Sequence, residues 1–169
     1  MPTSSKRRSF EAGHFRKFLL VVDESQEVES ALYYAASRIQ HSSGSIVMLY
    51  VIEPQGFQHW MGVKQMHVEE ETNKARALFR LFRRKLASAG FEQIVCEEAV
   101  REGNLAEEIL KIIEHDEDIA ILVLGASTDP NGPGPLVSSF AAGRFAGTFP
   151  VPVTVVPGNL SIEDIKSLA

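Results

Sequence analysis

Apolar residues occur along this chain in two patterns, as short continuous runs and as longer stretches in which they recur every three or four positions. Continuous runs rich in β-branched residues are typical of strands that are buried on both faces of a parallel sheet. Most of these runs end at Asp, Gly or Pro residues, which favour turns. Strands are therefore predicted at residues 17–22, 45–52, 93–100, 119–124 and 153–156.

After the predicted strands come stretches in which apolar residues recur every three or four positions. This spacing places apolar side chains on one face of a helix. A first helix is predicted over Val28–Ile39, with Ser25 as its cap and an end near Gly44. A second helix is predicted from about Val68 to Ala89. The segment before it, Phe57–His67, is predicted to be an irregular connection that packs on the core, meets a partner or shelters a ligand.

Local signals mark the ends of the remaining helices. Asn104 and Glu107 have the spacing of a capping box, and apolar residues at helical spacing follow them. A fourth helix is predicted over Leu136–Ala146. Ser161 and Asp164 have the residue types and spacing that cap a short terminal turn.

Strands that alternate with covering helices indicate crossover connections, which are right-handed. The pattern therefore predicts a doubly wound, Rossmann-like α/β domain, with a mainly parallel sheet and helices on both faces. In such sheets, ligands bind beyond the carboxyl ends of the strands, where the winding direction reverses. The candidate binding loops are those after the first and fourth strands, Asp23–Ser25 and Gly125–Pro135.

Length and charge indicate one folded domain with a basic beginning. A chain of 169 residues with 44% hydrophobic and 23% charged residues is typical of a single globular domain. Five of the first twenty residues are basic and only Glu11 is acidic, so the rest of the chain has a net charge of about −9. We divide the chain into a basic flexible tail, 1–16, and one domain, 17–169. A basic tail on an acidic domain argues against nucleic acid as the partner.

Composition also bears on the cellular location. The longest apolar runs, Phe18–Val22 and Ile119–Leu124, are much shorter than the roughly 20 residues of a membrane helix. The polar opening lacks the apolar segment of about 7–15 residues that a secretion signal uses. The single cysteine, Cys96, cannot form an internal disulfide. We therefore expect a cytoplasmic protein that does not bind a membrane.

Motifs for catalysis and metal binding are not found. Cys96 lies in a predicted strand, where an inert buried thiol is expected. The five histidines lack the short spacings of a metal site, and surface or loop roles are expected for them. The chain has no Walker loop and no Gly-x-Ser-x-Gly elbow. The basic run from Arg76 to Lys85 is interpreted as a solvated helix face. No catalytic residue and no metal site are predicted.

Several segments together resemble the universal stress protein family, over nearly the whole stretch from Lys17 to Pro157. They are the first strand closing on Asp23, the strand ending Leu-Tyr-Val-Ile-Glu53, Arg-Glu-Gly103, Leu-Gly125 and the closing Val-Pro-Val-Thr-Val-Val156. The resemblance implies a five-stranded parallel sheet of order 3-2-1-4-5. It also implies a homodimer through the last strand, Val153–Val156. The family includes members that bind ATP and members that do not.

The nucleotide motif of the family is preserved here in spacing, but two of its three glycines are replaced. In ATP-binding members it reads Gly, two residues, Gly, nine residues, Gly, then Ser, Thr or Asn. The matching positions in this chain are Gly125, Thr128, Ser138 and Ser139. Glycine allows a positive φ and a close approach of backbone N–H groups to phosphate, whereas β-branched Thr resists that conformation. Gly132 and Gly134 could form a reshaped cradle, although neighbouring prolines donate no N–H.

The resemblance also implies roles for individual residues. Asp23 would hydrogen-bond ribose or adenine, and the backbone of Val51 would contact adenine. The residues implied on the phosphate side are Gly125, Ser127, Thr128, Ser138 and Ser139. A plain alternative for Asp23 is a turn residue, and for Ser138 and Ser139 capping or solvent-facing hydroxyls.

Charge favours one of the two loops for an anion. The first helix opens with Glu24, Glu27 and Glu29, which repel phosphate at that end. The stretch 125–157 contains one acidic residue, Asp129, so we expect an anion to bind there.

Two main functions remain open at this point. The first is a universal-stress-type protein of the stress response that binds an adenine nucleotide as a regulatory module, with at most slow ATP hydrolysis. The ligand would be ATP or AMP, with Mg²⁺ if it is the triphosphate. The alternative is a dimeric interaction module that binds no nucleotide. A flavin-binding electron carrier is a third option that depends on fold analogy alone.

Overall fold

Strand and helix alternate along the chain, as the apolar pattern predicts. The computed structural model describes residues 6–54, 61–143 and 145–169. In these ranges the elements are β1 Lys17–Val21, α1 Glu27–Gln40, β2 Ser45–Ile52, α2 Met61–Ser88, β3 Val95–Glu102, α3 Leu105–His115, β4 Ile119–Ala126, α4 Pro135–Phe140, β5 Val153–Pro157 and α5 Ile162–Leu168. The third strand lies two residues further along than the predicted 93–100.

The strands form one parallel sheet in the order β3-β2-β1-β4-β5, which confirms the expected doubly wound α/β fold. Leu20 of β1 aligns with Met48 of β2 on one side and with Val123 of β4 on the other. The chain therefore winds outward in one direction from β1 and in the other from β4. The carboxyl ends of β1 and β4 lie side by side, and the winding direction reverses between them.

The central strands are buried on both faces, as continuous apolar runs predict. Phe18 and Leu20 pack on one face of the sheet with α1 and α2, whereas Leu19 and Val21 pack on the other with α3 and α4. The predicted inward face of α1 is buried throughout. On α2 the buried apolar positions include Ala75, Phe79, Phe82 and Leu86, which share one face of the helix. Burial of each large apolar side chain stabilises the fold by about 1.5–3 kcal/mol.

The second helix begins at Met61 and not at Val68. Residues 61–67, assigned to the irregular segment Phe57–His67, are therefore helical, and the rest of that segment lies outside the described residues. Val63 and Met66 are exposed, so these turns have no apolar face against the core. Helix start signals based on apolar spacing cannot detect such turns.

The fourth helix is shorter than the predicted 136–146, because it ends at Phe140. Its buried side chains, Val137 and Phe140, occupy a single turn, and the Phe140 ring packs on Phe149 with centroids 5.0 Å apart. The chain then folds back closely at Gly143, where a Cβ atom would lie 2.5 Å from the Ser139 carbonyl oxygen. A helix cannot continue through this bend.

Three predicted helix caps can be compared with the structure. Asn104 accepts a hydrogen bond from the Glu107 N–H at 3.1 Å, and Ser161 and Asp164 form a full capping box. Ser25 does not cap α1, because its hydroxyl donates to Asp23 and the cap position is Gln26. The Asp23 carboxylate therefore competes successfully with the helix end for this serine.

Charged side chains near both ends of the domain form surface pairs. The backbone N–H of Arg8 donates to the backbone carbonyl oxygen of Glu117 at 2.9 Å. The Lys17 ammonium group lies 2.8 Å from the Asp116 carboxylate. Arg83 on the basic run of α2 lies 2.7 Å from Glu98. The four arginines of this run are exposed, as a solvated helix face requires, and Lys85 is half-buried. The division of the chain into a flexible tail and a domain stays a prediction.

Two further features were expected from composition. Cys96 is a free thiol on β3, and burial raises its pKa, which disfavours the reactive thiolate. Among the described residues, none of the helices combines the length and the apolar character of a membrane span.

The amino-terminal end of α1 packs directly on two glycines. A Cβ atom at Gly125 would lie 2.1 Å from the carbonyl oxygen of Glu27, the first residue of α1. A Cβ atom at Gly158 would lie 2.6 Å from the Ala126 carbonyl oxygen and 3.0 Å from the Glu27 Cβ. Glycine at 125 therefore allows α1 to approach β4 so closely, and glycine at 158 allows the chain after β5 to pass close to both β4 and Glu27.

Replacing Gly125 by alanine should therefore destabilise the fold, because the added methyl group meets backbone atoms that cannot rotate away. We expect Gly125→Ala to lower the free energy of unfolding by about 2 kcal/mol or more, measured by urea denaturation. Gly62→Ala is the control, since no described atom lies within 4 Å of its Cβ position. Equal stabilities for the two variants would contradict the packing described here.

Candidate functional site

A crevice opens at the sheet edge where the winding direction reverses. Asp23, just after β1, and Gly125, near the end of β4, line one cavity of about 80 Å³ together with Glu27 and Gly134. This is the position at which doubly wound sheets bind ligands. The structure therefore places the two predicted binding loops side by side.

A larger cleft continues from this cavity along the ends of β1 and β2. Its volume is about 360 Å³, which is within the range of small-molecule sites. Val51 and Asp23 line it, and Val21, Asp23 and Leu105 belong to both the cleft and the smaller cavity. Three predicted site residues, Asp23, Val51 and Gly125, thus surround one continuous crevice.

One oxygen of the Asp23 carboxylate holds the turn after β1, and the other is available to a ligand. Its Oδ1 atom accepts hydrogen bonds from the Ser25 N–H, at 2.8 Å, and from the Ser25 hydroxyl. These bonds make Asp23 the turn residue that the plain alternative describes. Its Oδ2 atom has no hydrogen-bond partner among the described residues and the side chain is exposed to the crevice. A ligand hydroxyl or amine could donate to that oxygen.

A hydrogen bond between Tyr50 and Glu71 forms one wall of the cleft. The Tyr50 hydroxyl donates to Glu71 Oε2 at 2.5 Å and thereby joins β2 to α2. Burial, followed by the bond to Glu71, raises the pKa of Tyr50, and the same bond lowers the pKa of Glu71. Lys74 lies 3.2 Å from Glu71 and 3.6 Å from Glu24, so this wall also contacts the turn before α1.

The far end of the cleft is closed by contacts of Glu53. Its Oε1 atom accepts from the Leu105 N–H at 3.1 Å, at the start of α3. Its carbonyl oxygen lies 3.2 Å from His67 Nε2, so His67 is a helical cleft residue rather than a loop residue. Sequence reasoning did not predict roles for Tyr50, Glu53, His67 or Glu71. The strand ending Leu-Tyr-Val-Ile-Glu53 was the one available signal.

The loop after β4 uses many of its N–H groups internally. The Ser127 N–H donates to the Pro133 carbonyl oxygen, and the Asp129 N–H to the Ser127 hydroxyl. The N–H groups of Asn131 and Gly132 donate to Asp129. The remaining positions include three prolines, which have no N–H. Few backbone donors of this loop are therefore available to a phosphate.

The residues at the glycine positions of the motif do not adopt glycine-like conformations. No non-glycine residue in the described part of the chain has a positive φ, whereas Gly132 and Gly134 have φ of 130° and 103°. Thr128, Ser138 and Ser139 are exposed, and neither they nor Ser127 line the two cavities. Gly134 does line the smaller cavity, as a reshaped cradle would require.

The stretch 125–157 contains one acidic residue of its own, but an acidic side chain of α1, Glu27, lies beside it. A Cβ atom at Gly134 would lie 4.0 Å from Glu27 Oε1. Glu27 and Asp23 both line the cavity beside this loop, and none of the described lining residues is a lysine or an arginine. The Glu27 and Asp23 carboxylates therefore disfavour an anion in the part of the crevice beside Glu27, and anion binding at this loop stays a prediction.

Metal chemistry has no candidate among the described residues. No group of three or more His, Cys, Asp or Glu side chains in the described ranges has the geometry to hold a metal ion. The acidic and polar residues of the crevice instead form hydrogen bonds to one another and to backbone groups. The class that the structure defines is the doubly wound α/β fold, with a crevice at its switch point.

Comparison with protein families agrees with this class. The model of the universal stress protein family matches residues 14–157, and the chain belongs to that family. A comparison with curated proteins found no match.

Solved structures with the same fold include several universal stress proteins. Universal stress protein UspA from Lactobacillus plantarum has a TM-score of 0.65 and 18% identity, over 83% of this chain and 97% of that chain. A family member from Arabidopsis thaliana with AMP bound has a TM-score of 0.55 and 17% identity, over 84% and 91%. The Archaeoglobus fulgidus protein in complex with dAMP has a TM-score of 0.51 and 14% identity, over 84% and 98%. At these identities the likeness shows the fold.

Removing the Tyr50 hydroxyl should weaken the wall of the cleft. We expect Tyr50→Phe to lower the free energy of unfolding by about 2 kcal/mol at neutral pH, because a hydrogen bond to a charged group is lost. Urea denaturation measures this change. Tyr33→Phe is the control, since the Tyr33 hydroxyl donates to Glu29 over a longer distance, 3.2 Å, and should matter less.

The effect of Tyr50→Phe should also depend on pH. The folded-state pKa of Glu71 is lower than its ordinary value of 4.5, so its contribution to stability is present above that pH. This contribution is lost as the pH falls through the lowered pKa. The stability difference between the two proteins should therefore shrink below pH 4.5. A difference that stays constant in acid would show that ionised Glu71 is not the acceptor.

Proposed function

We propose that this protein acts in the stress response by binding an adenine nucleotide at the switch point of its sheet, as a regulatory module. The observation that carries the proposal is the continuous crevice, in which Asp23, Val51 and Gly125 meet. Ligand occupancy would change the surface that the loops and α2 present to partners. The protein would act in the cytoplasm and mainly by binding, with at most slow ATP hydrolysis.

The larger cleft is suited to the nucleoside half of the ligand. Its volume of about 360 Å³ and its apolar residues, including Val21 and Val51, can enclose an aromatic base. Asp23 Oδ2 at its edge is an acceptor for a ribose hydroxyl or for the adenine amine. Contact of the base with the Val51 backbone would complete the recognition.

The phosphate half would lie toward the loop after β4. Gly125, Ser127, Thr128, Ser138 and Ser139 are the residues proposed to contact phosphate, with Gly134 as a further backbone donor. Mg²⁺ would accompany a triphosphate but not a monophosphate. AMP and dAMP, the ligands named for the Arabidopsis thaliana and Archaeoglobus fulgidus proteins, support an AMP-type ligand here.

Nucleotide binding can be tested by isothermal titration calorimetry with AMP. We expect the unmodified protein to bind AMP and Asp23→Asn to bind it about tenfold more weakly, because a hydrogen bond to a carboxylate is lost. Asp118→Asn is the matched control, since Asp118 pairs with His14 before β4, at the opposite end of the sheet. Asparagine keeps an acceptor for Ser25, so the turn should persist.

The same experiment separates the two functions. A binder at 100 times its dissociation constant gains about 2.7 kcal/mol of stability, which a thermal shift also detects. Absence of binding to adenosine, AMP and ATP would overturn nucleotide binding and favour the interaction module. The internally bonded loop after β4 is the observation that favours that second function.

We also propose that the protein forms a homodimer through β5. This strand is at one edge of the sheet, and Val155 on it is exposed. Exposed apolar edge strands tend to be covered, often by a second copy of the chain. Both functional hypotheses use this dimer.

A charge on β5 should therefore prevent dimerisation. We expect the unmodified protein to have the mass of a dimer at micromolar concentration in light scattering, and Val155→Lys to have the mass of a monomer. Val95→Lys is the matched control, because Val95 is also exposed but lies on the opposite edge strand, β3. A monomeric mass for the unmodified protein would exclude this interface.

A further inference from the structure

We propose that Glu27 selects the charge of the ligand, so that the crevice binds adenosine or a nucleoside monophosphate in preference to ATP. This inference rests on the proposed function, since it specifies which adenine compound the same crevice binds. The residue belongs to α1 and has no place in the nucleotide motif. Its contribution comes from its position against the loop after β4.

Glu27 is held at this position by its own backbone. Its carbonyl group lies over Gly125, too close for any side chain there, and its Cβ atom would be in tight contact with a Cβ atom at Gly158, at 3.0 Å. The start of α1 therefore cannot withdraw from the crevice without disturbing the sheet. From this fixed backbone, the carboxylate extends to the side of Gly134.

The charge of Glu27 is not compensated locally. No described lysine or arginine forms an ion pair with it, and none lines the cavity that it shares with Gly134. Asp23 adds a second carboxylate to the same cavity. Like charges that lie close together repel one another. Each further phosphate placed beside Gly134 therefore increases the repulsion.

The small volume of the cavity and the shortage of hydrogen-bond donors also disfavour a chain of phosphates beside Glu27. The cavity beside Glu27 has about 80 Å³, against about 360 Å³ for the cleft proposed to hold the nucleoside. The neighbouring loop donates its N–H groups at Ser127, Asp129, Asn131 and Gly132 to its own oxygens. A chain of phosphates would thus meet a carboxylate and few donors, whereas the nucleoside cleft remains open.

The test compares adenosine, AMP and ATP by isothermal titration calorimetry, without divalent cations, on the full chain and on Glu27→Gln. We expect the unmodified protein to bind adenosine and AMP more tightly than ATP. Glu27→Gln, which keeps the shape of the side chain, should raise the affinity for ATP about tenfold and leave that for adenosine unchanged. Glu29→Gln is the matched control, because it removes the same charge from α1 at a residue that pairs with Lys85 instead.

Ionic strength provides a second readout that needs no variant. Salt screens repulsion between like charges, so the affinity of the unmodified protein for ATP should rise with added salt while that for adenosine stays constant. ATP binding as tight as AMP binding, or an equal effect of Glu27→Gln on all three ligands, would overturn the role of Glu27 and leave nucleotide binding intact. No binding of any adenine compound by either protein would overturn both.

Discussion

The close approach of α1 to the sheet at Gly125 and Gly158 is the constraint on which the crevice depends. A helix that follows β1 normally packs on the face of the sheet through side chains, but here its first residue contacts the sheet through backbone atoms. This contact brings the turn after β1 against the end of β4, which is how Asp23 and Gly125 come to line one cavity. The same contact fixes the direction of the Glu27 side chain. Gly125 therefore has a packing role that is separate from any contact with phosphate.

Much of the fold follows from local pattern. The runs at β1, β2 and β4 are apolar at successive positions, and only strands covered on both faces bury every such position. Strand order does not follow from pattern, because the same alternation of strands and helices fits several orders, and here it came from the family resemblance. The predicted helix ends and caps are wrong where the helix does not pack on the core or where a side chain bonds to another group instead of the helix end. Met66 is helical yet exposed, Phe140 ends a helix that contacts the core through one turn, and Ser25 bonds to Asp23.

The site was predictable only in its loops. Asp23 and Gly125 follow apolar strands, and the rule for doubly wound sheets places both at the switch point. The contact of Glu27 with the loop at Gly134 could not be predicted, since the two residues are far apart in the chain and belong to no shared motif. Counting acids within 125–157 overlooks Glu27 for the same reason, because its charge comes from another element. The bond between Tyr50 and Glu71 is likewise not detectable by spacing rules, although it joins β2 to α2 at the wall of the cleft.

The two halves of the crevice are held by different kinds of contact, and this difference suggests which half would transmit ligand binding. The half near Gly125 is bounded by backbone contacts, which do not yield without loss of packing. The wall near Tyr50 belongs to the amino-terminal part of α2, where Val63 and Met66 are exposed and the helix is joined to the domain through Tyr50, Glu71 and Lys74. The bond between Tyr50 and Glu71 should contribute about as much as one buried apolar side chain, whereas the ion pairs of the exposed Lys74 contribute less. A ligand in the larger cleft would contact this wall directly, so under the proposed function α2 is the element through which occupancy would reach the surface.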